Sequence, residues 1–392
     1  MNENILVSEI HTLDQSWQFM SPGPGWRSHP FRAVACLGQR LLSLICLIAT
    51  LTVLAAIPGT NLYAMGYLLS AQARIARTGR FRDTLILLPA ARRIVVVTIA
   101  TTACLLIIAW LARLVREAWL ISSGSLVYWL LTGGLILAST LSALHISRAI
   151  LRGGTLWEFL RPDRSWRKRL TFCRSDARSQ DSPGLNGLLP SLQIWHHMRP
   201  GLLNYLAIYA VLALPTWLYT AMQDQSRVAE RILFLSGAIL LILVLAFLPF
   251  LQVHLAVREN LVAMTECGSV IKRFRNAPGA HLLAVLVLLG LSALVPLYQA
   301  LLKLQLPPNS ILWDVMLVTI VLTLPGRILA AWAWHRGSQA RQVWRIWRWT
   351  CGTAIIAATG AYVGFLMLAA SSGQLGSHVI WQHHALVLPL PF

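Results

Sequence analysis

The chain has 392 residues, of which 56% are apolar and only 12% charged, with a formal net charge of +19. A soluble protein carries about twice that charged fraction, and no basic, folded soluble module is present to turn the excess charge into a nucleic-acid surface. The apolar residues gather into runs long enough to cross a bilayer, which takes about 20 residues in a helix. An ordinary soluble core is therefore excluded.

In chain order, residues 1–40 form a polar arm containing Pro22, Pro24 and Pro30. The first apolar run comes too late, and lacks the small-residue cleavage pattern, for a removable signal peptide. Spans are expected at 41–57, 94–114, 125–145, 202–222, 232–253, 281–302, 311–333 and 350–370. The first is only 17 residues long and ends at Pro58-Gly59, so a re-entrant segment is its alternative. The seventh is interrupted by Asp314 and Arg327. A charge-free tail, residues 371–392, follows the last span; it is too apolar for a solvated tail, and Pro389 and Pro391 argue against a ninth span. It is expected to fold back onto the outer face of the bundle, with Trp381 at the interface. The fold class is an all-α polytopic transmembrane bundle of about eight spans, with basic amphipathic interfacial helices.

The connections after spans one, three, five and seven hold 24 of the 33 Lys and Arg, against 8 in the arm, the other connections and the tail. The positive-inside bias places the first set in the cytoplasm and both termini outside, in the cell membrane.

Three helices running toward the basic side end in a proline: Ile57-Pro58-Gly59, Leu248-Pro249-Phe250 and Leu324-Pro325-Gly326. Proline breaks the hydrogen-bond ladder and turns the following basic segment toward the membrane surface. After Pro249, the residues Val257, Leu261, Met264, Cys267, Ile271 and Phe274 fall on one face of a helix. After span three, Thr155-Leu156-Trp157-Glu158 reads as a capping box opening a basic run with Trp157 and Trp166 interleaved. The expected contacts to anionic headgroups, or to a partner, are Arg74, Arg77, Arg80, Arg82, Arg161, Arg164, Arg167, Lys168, Arg169, Lys272, Arg273 and Arg275.

The strings Ile57-Pro58-Gly59, Gly66-Tyr67-Leu68-Leu69, Ala76-Arg77-Thr78-Gly79-Arg80, Leu248-Pro249-Phe250-Leu251-Gln252, Glu259-Asn260 and the ending with Gln382-His383 and Leu388-Pro389 resemble a family of multi-spanning proteins of unknown function from planctomycete genomes. That resemblance implies a membrane protein and adds no activity.

Chemistry-bearing residues are sparse. His196-His197 and His383-His384 point about 100° apart within each pair, if helical, and have no carboxylate or cysteine cluster nearby in sequence, so a structural or interfacial role is expected. The six cysteines show no metal-ligand spacing. Ser123, Ser125 and Ser371 have no base beside them in sequence. Asp314 and Arg327 are intramembrane charges; lying 13 residues apart on one helix, they cannot pair, and Arg327 is expected to snorkel to the inner surface. No enzyme, metal or cofactor is implied. The leading expectation is a membrane scaffold that organises lipid or protein through its basic face. The alternative is a small-molecule or ion transporter using the kinked helices around Pro215 and Pro296.

Overall fold

The structure is a computed structural model that describes residues 30–81, 88–151, 193–220, 228–303 and 312–371, together with residues 380, 381, 386 and 388. The expectations for Arg82, Arg161, Arg164, Arg167, Lys168, Arg169, the Thr155 capping box and His383-His384 fall outside these residues.

Ten α-helices make up the described chain, which contains no strand. They are α1 (Pro30–Ala56), α2 (Thr60–Thr78), α3 (Leu88–Ile121), α4 (Leu126–Leu151), α5 (Ile194–Thr220), α6 (Val228–Arg258), α7 (Cys267–Asn276), α8 (Pro278–Lys303), α9 (Leu312–Gln339) and α10 (Arg345–Ser371), with a 3-10 turn at Leu261–Thr265. Seven of them, α3, α4, α5, α6, α8, α9 and α10, are long and apolar enough to cross a membrane. The architecture is that of a multi-pass helical membrane protein. The first expected span is the apolar end of α1, Leu41–Ala56, which falls short of that length.

Two compact units separate: Met1–Thr50 with Ile86–Gln193, and Leu51–Leu85 with Ile194–Phe392. In the first, α3 and α4 pair as a hairpin. A tight turn joins them at Gly124, whose φ is +97°, and Ser125 Oγ caps α4 by accepting from the Tyr128 N–H at 3.2 Å.

In the second unit α2 packs against α5, α6 and α9, while α8 packs on α9 and α10, and α10 on α6. The position of α2 differs from the surface helix expected of it: 13 of its 19 residues are buried. Small side chains make this possible. A Cβ on Gly66 would collide with the His197 carbonyl of α5, and one on Gly201 with the Leu62 carbonyl, so the two helices cross backbone to backbone. A helix enclosed by protein has no need of a lipid-compatible surface, and Asn61 and Gln72 sit buried on it.

The prolines also behave differently from one another. Pro58 does break the chain, between α1 and α2, where Gly59 adopts φ +85° and Thr60 Oγ1 donates to the Leu54 carbonyl at 2.7 Å. Pro249 and Pro325 do not end their helices: α6 runs on to Arg258 and α9 to Gln339. Proline removes one ladder bond, and a helix packed among neighbours tolerates that loss.

Candidate functional site: a buried polar centre and a basic ledge

Arg327 lies near the middle of α9 and is 1% exposed. It does not snorkel. Its Nη2 donates to the Leu386 carbonyl, and its Nη1 faces the Met65 sulfur of α2 at 3.6 Å, while Nε has no partner. Among the described residues no carboxylate meets the guanidinium. Its own backbone carbonyl accepts from Gln72 Nε2 at 3.2 Å. Asp314, by contrast, is exposed in the first turn of α9, where a negative charge suits the helix dipole.

The acceptor belongs to the tail. Gln252 Nε2 of α6 donates to the same Leu386 carbonyl at 2.8 Å, and the Tyr205 hydroxyl of α5 donates to the Leu388 carbonyl at 2.8 Å. Leu386 and Leu388 are both 0% exposed, and Ile380 is also buried. These residues therefore sit inside the bundle, not on the outer face expected from composition. Donors from α5, α6 and α9 converge on the carbonyls of Leu386 and Leu388, supplying the partners that a buried peptide group requires.

A second cluster holds α2 against α5. His197 is buried between Tyr63 and Tyr67, with edge-on ring centroids at 5.2 and 5.7 Å. Ser70 Oγ donates to the Gly66 carbonyl and lies 3.1 Å from His197 Nδ1, so the ring N–H donates back to Ser70. Burial raises the Tyr63 hydroxyl above its usual pKa. His197 and Ser70 thus tie α5 to α2 through one hydrogen bond and two ring contacts.

The basic end of the unit is a layer of capped helix ends. Arg77 Nη2 donates to the Val257 carbonyl of α6 at 3.0 Å, and His335 Nδ1 to the Ala76 carbonyl of α2 at 3.2 Å. Arg273 Nη1 donates to the Trp334 carbonyl at 3.2 Å and Asn276 Nδ2 to the Gly337 carbonyl at 2.9 Å, both in the last turns of α9. The bonds to Val257, Ala76 and Gly337 satisfy carbonyls that a helix C-terminus leaves open, and the one to Trp334 adds a second donor to a carbonyl within the helix. Arg273 also stacks 4.1 Å above the Trp334 ring, an interaction of up to about 2 kcal/mol when desolvated. Burial lowers the Arg273 pKa. Two of the expected headgroup contacts, Arg77 and Arg273, thus bind protein carbonyls. Arg74 is half-buried, and Arg80, Lys272 and Arg275 are exposed.

The single helix expected from Val257 to Phe274 is interrupted. Glu259 has φ +54°, and Asn260 then caps the 3-10 turn through the Val262 N–H at 3.2 Å. The interruption positions Glu266, which accepts from His254 Nε2 at 2.8 Å and from Ser269 Oγ at 3.3 Å. The hydrogen bond from His254 is the main reason that the Glu266 pKa is lowered.

Beside α7, the Val343 N–H donates to the Arg275 carbonyl at 3.2 Å and ties the α9–α10 connection to it. Arg341 and Arg345 are exposed there, as are Trp344 (74%), Trp347 (50%) and Trp349 (66%). No acidic residue occurs in 267–276 or 340–350. Arg341 and Arg345 belong to the basic segment after Pro325 but are not among the expected headgroup contacts; the alternation Trp344, Arg345, Trp347, Arg348, Trp349 is the sequence signal that marks them.

Comparison of the chain with protein-family models, with curated proteins and with solved structures gives no match.

Proposed function

We propose that this protein is a non-enzymatic, multi-pass protein of the cell membrane that gathers anionic phospholipid on its basic, cytoplasmic side. The observation that carries the reading is the ledge of Lys272, Arg275, Arg341 and Arg345 with three exposed tryptophans. Tryptophan favours the headgroup level, and each cation near an anionic surface contributes about 1 kcal/mol there. The ledge is fixed by the Val343–Arg275 bond, so its charges are presented on an ordered surface. The candidate nucleophile Ser125 is engaged in helix capping, which supports a non-enzymatic reading. The resemblance to uncharacterised multi-spanning proteins fits this proposal without adding an activity.

The test is lipid selection by the purified protein. In nanodiscs of mixed phosphatidylglycerol and phosphatidylcholine, the protein should retain phosphatidylglycerol on detergent extraction, with retention falling as salt rises. Replacing Lys272, Arg275, Arg341 and Arg345 together with glutamine should remove the preference. Equal retention of both lipids by the unaltered protein would refute it. Cysteine labelling of position 341 from the cytoplasmic side checks the orientation.

The transporter reading draws on a different observation, the fully buried Arg327 with only neutral acceptors.

A further inference from the structure

The charges of the basic ledge converge on one place. A Cβ on Gly352 of α10 would stand 3.7 Å from the Phe274 ring of α7, and one on Gly279 of α8 3.7 Å from the Trp347 ring. Arg345 and Arg348 precede Gly352 by seven and four positions, so all three share the face of α10 turned to α7. Lys272 and Arg275 lie on α7 itself, and the Val343–Arg275 bond brings the chain at Arg341 alongside.

None of Lys272, Arg275, Arg341 and Arg345 has a side-chain hydrogen bond or ion pair among the described residues. Arg348 is half-buried, and its Nε is shut off from solvent without a partner. Five cations thus meet with no carboxylate in 267–276 or 340–350. A phosphodiester headgroup brings one negative charge to them. A phosphomonoester brings up to two and a third terminal oxygen, which gives the guanidinium forks more to hold.

We infer, resting on the lipid reading above, that the ledge selects phospholipids with a phosphomonoester headgroup, of the phosphatidic acid type. Arg345 and Arg348 on α10 hold the phosphate against Lys272 and Arg275 on α7, with Trp347 beside them at headgroup level. Cations around the phosphate favour its second ionisation, as a nearby opposite charge favours any charged form. A diester has no second proton to lose. Preference for the monoester therefore grows as pH rises through the second pKa of the phosphate, about 6 in a free monoester. The other titratable or charged groups around α7 are His254 and Arg258 of α6, Glu266, His281 of α8, and His335 and Arg336 of α9. Their titration changes the field felt by both lipids, so the ratio of the two reports the proton of the ligand.

The probe is the full-length protein in nanodiscs of phosphatidylcholine with equal parts of phosphatidic acid and phosphatidylglycerol, at constant ionic strength. Retention on detergent extraction is measured at about pH 5 and about pH 8, either side of the second ionisation. The ratio of phosphatidic acid to phosphatidylglycerol should rise about fivefold at the higher pH, the factor one added charge gives near such a surface. Arg345→Gln with Arg348→Gln should bring phosphatidic acid down to the level of phosphatidylglycerol, with both still above phosphatidylcholine. Equal retention of the two anionic lipids at both pH values, each above phosphatidylcholine, overturns the selection and leaves the lipid reading standing. No preference for either over phosphatidylcholine overturns both. Excess inorganic phosphate at the same ionic strength should not displace the lipid; displacement would assign the site to free phosphate and overturn the lipid class. If the double variant fails to fold, the pH ratio in the unaltered protein decides the matter.

Discussion

The α3–α4 hairpin and the core around α2 are both assembled from helices apolar enough for a membrane, yet they use that apolarity in opposite ways. In the hairpin none of the most apolar stretch of either helix is buried, whereas in α5, α6, α8, α9 and α10 between 28% and 50% of it is. Trp110, Trp129, Leu106 and Leu130 stand exposed on the hairpin, while the core holds Gln72, Gln252, Asn204 and Arg327 almost wholly out of reach. The unit with the more polar interior is the more closely packed one. In a bilayer apolar surface gains little by leaving lipid, so close backbone approach and hydrogen bonds hold the helices together.

The largest effect that tests this contrast comes from paired glycine substitutions. Gly66→Leu drives a side chain into the backbone of α5 and should cost about 3 kcal/mol or more. Gly133→Leu, on α4, meets open space and should be nearly neutral. Thermal unfolding in detergent micelles distinguishes them, and equal losses would dissolve the comparison. Next comes Tyr205→Phe, which strips the buried Leu388 carbonyl of its donor and should cost about 1–3 kcal/mol. Tyr128→Phe on the half-exposed hairpin face should stay within about 0.5 kcal/mol.

The smallest effect is one of pH. Because the folded state lowers the Glu266 pKa, this residue contributes stability above the unfolded carboxylate value of about 4.3. That contribution disappears as pH falls through the lowered native value. The protection factors for hydrogen exchange at residues 259–266, which remove the intrinsic slowing of exchange at low pH, should therefore fall on acidification in the unaltered protein. In Glu266→Gln protection should be lower at neutral pH and should not change across this pH window.

The spanning helices were legible in the sequence because lipid demands apolar side chains along a helix whatever it packs against. The same logic hid α2, whose surroundings are protein. Its signal is the run of small residues at Ala64, Gly66, Ala71, Ala73 and Ala76, which the basic residues Arg74, Arg77 and Arg80 mask as a surface pattern. Arg327 was recognisable as an intramembrane charge, but its partner is a backbone carbonyl 59 residues away. A carbonyl leaves no mark in a sequence, since every residue has one. The amphipathic spacing from Val257 to Phe274 is spread over three elements, the end of α6, the 3-10 turn and α7, with the first break at the positive φ of Glu259.

The enclosed position of α2 carries a consequence for how the chain is made. This helix leaves the ribosome early, yet Gly66 meets Gly201, Gln72 meets Arg327 across 255 residues and Ala76 meets His335 across 259. Its own surface is too polar to enter lipid alone. The contacts that enclose α2 have to wait until α5, α6 and α9 have been made. Translation at about 5–20 residues per second makes that wait on the order of ten seconds or more. A lesion in α9 thus strands a helix made long before it, and the first helix of the core is among the last to arrive.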